Sequence, residues 1–153
     1  THSHASSQLY RFGEHNPYVE AFFKWWDLGL SGSLQELRLT GGEPLMSGDT
    51  WRLIEWFKNN RANPDMRFAL NSNLGAKDDL IEKLIAASHD IPYVELYTSC
   101  EATGSAAEYI RDGMIWRQWI DNCTKIAERG NFKKFHVMAT INSLCLTSII
   151  GFL

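Results

Sequence analysis

Four segments of this chain, 36–40, 67–73, 93–99 and 134–142, alternate apolar with polar residues and are separated by stretches of helical periodicity. Alternation of period two marks a strand with unlike faces, and apolar spacing of three and four marks a helix. Helical patterns fall at about 47–60, with Trp51, Ile54 and Phe57; at 77–88, with Leu80, Ile81, Leu84 and Ile85; and at 114–129, with Trp116, Trp119, Ile120, Cys123 and Ile126. Strands alternating with helices predict a parallel sheet joined by right-handed crossovers.

Parallel strands buried on both faces read as unbroken apolar runs. These do not. Glu36, Arg38 and Thr40 oppose Leu37 and Leu39, and Arg67, Ala69, Asn71 and Asn73 oppose Phe68 and Leu70. Glu95, Tyr97 and Ser99 oppose Val94 and Leu96. His136, Met138, Thr140 and Asn142 oppose Phe135, Val137, Ala139 and Ile141. One whole face of the sheet is therefore polar. A second helical layer over it would strand polar groups at about 1–3 kcal/mol each. Curving that face inward onto a wet or ligand-filled lumen avoids this cost. The expected fold is α/β, a partial open β/α barrel with four parallel strands and a polar lumen, in a single domain over 1–153.

The lumen reads in two layers. Glu36, Arg38, Arg67, Glu95 and His136 lie toward the strand starts and predict a structural charge network, because buried charges need partners. Thr40, Asn71, Asn73, Ser99 and Asn142 lie toward the strand ends, where ligands of such sheets bind. They suit a polar small molecule, or else are satisfied core polars. The turn Thr40-Gly41-Gly42-Glu43-Pro44 stands at the same end. Two glycines let the backbone approach a ligand, and Glu43 offers an anionic acceptor. An ordinary strand-to-helix turn with an exposed Glu is the plain alternative.

Outside this core, Asn16-Pro17 reads as a helix N-cap followed by Pro at the first helical position, opening a helix that ends near Gly29 or Gly32. Residues 1–15 are polar and expected to be loose; His2-x-His4 is a weak metal pair. Both ends look cut, since the chain starts at Thr1 and stops in Ile149-Ile150-Gly151-Phe152-Leu153. The net charge of -3 gives no surface for nucleic acid or membrane, and no apolar run spans a bilayer. Cys100, Cys123 and Cys145 are odd in number and spaced as neither disulfides nor a metal run, which fits a reducing, cytoplasmic setting. The six tryptophans fall on helical stretches and read as packing residues.

Taken in order, Thr40-Gly41-Gly42-Glu43-Pro44, Asn71-Ser72-Asn73, Leu96-Tyr97-Thr98-Ser99-Cys100-Glu101 with Tyr109-Ile110-Arg111-Asp112-Gly113, and Val137 to Asn142 resemble radical S-adenosylmethionine enzymes. The likeness covers about 16–150 and is nearest to the twitch-domain-containing group. It implies that Gly41, Gly42 and Glu43 take the methionyl ammonium of S-adenosylmethionine. It implies that Ser99 meets the ribose or carboxylate region, that Arg111 meets the carboxylate, and that Asn71, Asn73 and Asn142 line the same cavity. It further implies an oxidoreductase acting, in the intact parent, through a [4Fe-4S] cluster and a deoxyadenosyl radical on a small-molecule or peptide substrate, with an electron donor. The family's C-x3-C-x2-C run is absent from this sequence, so no residue here is expected to bind metal or act catalytically. The cluster ligands are expected upstream of residue 1 and the twitch domain beyond Leu153. A non-catalytic ligand-binding barrel fragment is the second reading. An unrelated β/α barrel enzyme such as an aldolase is the third, disfavoured because the strand lysine, Lys134, sits at the wrong strand end.

Overall fold

The structure, a computed structural model, describes residues 16–60, 63 and 65–152; the expectations for residues 1–15 lie outside the described residues. Helix α1 (Pro17–Trp25) opens as the sequence predicts: Asn16 caps it by accepting a 3.0 Å hydrogen bond from the Tyr18 N–H, with Pro17 in the first turn. The helix loosens through Trp26–Leu30, where Gly29 takes φ 127°, and closes on the single turn α2 (Ser31–Ser33). A side chain at Gly29 would be strained, which explains why the helical pattern fails there.

The remaining elements are β1 (Glu36–Leu39), α3 (Gly48–Asn59), β2 (Arg67–Asn71), α4 (Asp78–Asp90), β3 (Val94–Ser99), α5 (Gly104–Ile110), α6 (Trp116–Arg129), β4 (Lys134–Met138) and α7 (Ile149–Phe152). The four strands are parallel and lie in chain order, β1-β2-β3-β4. The sheet is open, with β1 and β4 at its edges. A doubly wound sheet reverses its strand order at a switch point; this one does not.

The register explains the two faces. Leu39, Leu70, Leu96 and Phe135 form one row across the sheet, and Leu37, Phe68 and Val94 a second. Leu70 and Leu96 pack with Ile81, Leu84 and Ile85 of α4 and with Trp119 and Ile126 of α6. Phe68 and Val94 pack with Leu53, Ile54 and Phe57 of α3 and with Trp26. Neither cluster takes in a side chain of the opposite face. All six tryptophans lie on helical segments, and Trp26 and Trp119 are core residues. No described helix is long and apolar enough to cross a membrane.

Three expectations change. Strand β2 stops at Asn71, because Asn73 folds into a turn with its Oδ1 accepting from Gly75 N at 2.8 Å. Strand β4 stops at Met138, because its partner β3 ends at Ser99 and Cys100 N makes the last ladder bond to the Met138 carbonyl. Thr140, Ile141 and Asn142 are therefore loop residues, and Ile141, expected beneath a helix, is 60% exposed. The arginine-bearing loop after β3 contains a further helix, α5, entered through Gly104 at φ 54°. At seven residues it is too short for periodicity to reveal.

Candidate functional site

At the mouth of β1 the backbone turns through Gly41 (φ 88°) and Gly42 (φ 46°). Both lie in the left-handed region, and a Cβ on either would meet nothing within 4 Å. The glycines are thus required by conformation, and the space beside them is open. Glu43 follows in extended conformation and caps the short turn Pro44–Met46. Its Oε1 accepts from Leu45 N at 3.1 Å and from Ser72 Oγ at 2.8 Å, and its Oε2 accepts from Asn73 N at 2.7 Å. Hydrogen bonds to an ionised acceptor are among the stronger ones. This carboxylate therefore fastens the β1 turn to the β2 turn. Oε2, with one donor, keeps acceptor capacity.

Ser72 is the residue that sequence reasoning passed over. It is buried, donates to Glu43, and accepts from Leu74 N at 3.0 Å, supporting Leu74 at φ 53°. The signal was its place: alternation puts it on the helix-covered side at a strand end, where a buried hydroxyl needs a partner. Beside the Gly41–Glu43 turn lies a cleft of about 550 Å³, lined among others by Asn16, Arg38, Thr40 and Asp49.

The other expected site residues do not gather there. Asn73 contributes its backbone N–H to Glu43 and, with Arg111, lines a second cleft. Arg111 forms a double hydrogen bond to Glu101: Nε to Oε2 at 2.7 Å, and Nη2 to Oε1. Glu101 is 3% exposed and committed to this pair. Asn71 Oδ1 accepts from Arg38 Nη1 at 3.3 Å on the polar face. Asn142 caps its own loop, accepting from Leu144 N and donating to the Thr140 carbonyl. Ser99 stands half-buried at the end of β3. Of Thr40, Asn71, Ser99 and Asn142, expected on one cavity, Thr40 alone lines the cleft beside the turn, and Asn142 is carried away because β4 is shorter than its pattern.

The expected charge network is present on the polar face. Glu36 pairs with Arg38 at 2.9 Å and with Arg67 at 2.7 Å. The Arg38 guanidinium lies 4.5 Å from the Tyr97 ring centre, and Tyr97 stacks on His136 at 5.1 Å. Tyr97 Oη donates to Glu95 Oε2 at 2.6 Å, and the Lys134 ammonium stands 3.2 Å from Oε1. That second contact is an ion pair without hydrogen-bond geometry. Glu95 is 0% exposed. The Tyr97 hydroxyl first, then Lys134, holds its carboxyl below the usual range against the opposing effect of burial. A lowered folded-state pKa gives stability that is present above the unfolded value, about 4.3, and lost as pH falls through the folded one. Wild type should therefore exceed Glu95→Gln in urea stability at pH 7, with the gap shrinking steadily below about pH 4.5. A gap that widens on acidification would contradict this.

The three thiols belong to the core. Cys100 and Cys145 are buried within the α4–α6 cluster, and Cys123 packs against it. Burial pushes the Cys123 thiol up to about 12 and raises that of Cys100. A cluster needs several thiols facing one open site, and Cys100 and Cys145 are instead buried in the core. Among the described residues no group of three His, Cys, Asp or Glu could hold a metal ion.

Set against protein-family models, curated proteins and solved structures, the chain matches none.

Proposed function

We propose that the Gly41–Glu43 turn binds the ammonium group of S-adenosylmethionine, and that the chain is the cofactor-holding segment of a radical S-adenosylmethionine enzyme. In this reading the open sheet is part of a curved β/α barrel with its polar face inward. The observation that carries it is the pairing of two left-handed glycines with a carboxylate already fixed by three donors. A preoriented acceptor loses little freedom when it takes a cation. The glycines keep side chains away from the approach.

In that family S-adenosylmethionine, once reduced by one electron from a [4Fe-4S] cluster, would supply a deoxyadenosyl radical and leave methionine, the radical serving for hydrogen abstraction from a small-molecule or peptide substrate. This chain's own part is to bind and orient. Its cysteines do not fit the iron–sulfur cluster, and no step is assigned to one here. That mismatch favours, as a second reading, a module that binds the cofactor or a similar ligand without catalysis. Arg111, which the resemblance would set on the carboxylate, has Nε and one N–H of Nη2 committed to Glu101, leaving Nη1 and the second Nη2 N–H for that group.

The test is calorimetry on the full chain with S-adenosylmethionine and, separately, 5′-methylthioadenosine, which lacks the amine. A charge-assisted hydrogen bond contributes about 1.5–3 kcal/mol. Glu43→Gln should therefore weaken S-adenosylmethionine about 10–150-fold and leave methylthioadenosine unchanged. A urea melt of the variant separates this from loss of the Leu45, Ser72 and Asn73 bonds. Equal S-adenosylmethionine binding by a folded Glu43→Gln would overturn the assignment.

A further inference from the structure

We propose that the second cleft, between the α5–α6 turn and the turn after β2, binds a primary amine carried on an aromatic body. It goes beyond the Glu43 reading and does not depend on it. The cleft measures about 480 Å³ and is lined by Asn73, Ile110, Arg111, Asp112, Met114 and Trp119, among others. That volume lies within the range of ligand pockets, which combine apolar walls with a few polar groups.

The walls are fixed before any ligand arrives. Trp119 is buried, donates from Nε1 to Thr98 Oγ1 at 3.2 Å, and stacks on Trp116 at 5.5 Å. Met114 N bonds the Arg111 carbonyl at 3.0 Å, closing a turn in which Gly113 takes φ 79°. An indole and a thioether side by side suit a flat aromatic group.

The charges decide the polar end of the ligand. Arg111 would draw an anion if its charge were free, but its two hydrogen bonds to the buried Glu101 carboxylate balance that charge. Asp112 is exposed and carries no hydrogen bond or ion pair among the described residues. With Arg111 balanced by Glu101, Asp112 leaves the lining one negative charge. A carboxylate ligand would face Asp112 uncompensated, whereas an ammonium would pair with it.

Three indoles with one ring and different charge test this: tryptamine, tryptophol and indole-3-acetate. They are titrated into the 15N-labelled full chain, following the Trp119 side-chain N–H and the Gly113 amide. Tryptamine should shift both signals and bind about tenfold tighter than tryptophol, the low end for a charge-assisted bond because Asp112 is exposed. Indole-3-acetate should bind more weakly still. Asp112→Asn should bring tryptamine to the level of tryptophol. Indole-3-acetate binding as tightly as tryptamine, an Asp112→Asn variant that binds tryptamine unchanged, or no shift of either signal with any probe would overturn the proposal. None of these results bears on Glu43, since Asp112 is no part of that turn.

Discussion

Arg111→Met should destabilise the folded chain by about 3–5 kcal/mol, because it leaves the Glu101 carboxylate buried without its cation. Glu101→Gln should cost less. It frees an arginine whose side chain is 29% exposed and can turn to water. The double variant should recover part of the loss of Arg111→Met, since the stranded charge is gone. Urea unfolding of the four proteins measures this directly. Equal costs for the two single variants would mean that Glu101 is better hydrated than its burial indicates. The pair matters beyond its own energy. Glu101 Oε1 also accepts from Thr140 N at 3.5 Å, so the end of β3, the end of α5 and the loop after β4 meet at one carboxylate.

Phe68→Ala should cost about 3–5 kcal/mol, the range for deleting a buried phenyl ring. Phe68 is almost wholly buried and lies 5.4 Å from Phe57, itself in contact with Trp26 and Trp56. The surrounding rings are wide and stiff, so the space cannot close by small adjustments. A domain of this size has about 5–15 kcal/mol in total, so the variant should approach loss of its cooperative melt. A drop below about 1 kcal/mol would show that α1 and α3 slide inward to fill the void.

The parallel sheet and its two unlike faces were legible in the sequence because burial on one side imposes a period-two pattern on every strand. Asn16-Pro17 was legible because capping is local chemistry. The strand ends were not. Asn73 and Asn142 continue the alternation in letters, but both side chains serve turns of their own backbone, and nothing in the pattern separates a strand Asn from a turn Asn. Pairing also ends where the partner ends, so the limit of β4 is set by Ser99 on another strand. At the candidate site, the glycine turn at the mouth of β1 followed from sequence. The commitment of Glu43 to Ser72 and Asn73, and of Arg111 to Glu101, did not, because both join segments distant in the chain.

The strand order has a consequence for how the chain reaches this structure. Each strand pairs with the strand next to it in sequence, so no strand must await a partner from the far end of the chain. The loops closed at each step are of similar, moderate length, and loop entropy grows only slowly with length. Parallel pairing is slow when it is non-local; here it is as local as parallel pairing allows. As the chain leaves the ribosome, β1 and β2 can associate over α3 before β3 is made. β4 then joins a sheet that already offers it an ordered edge.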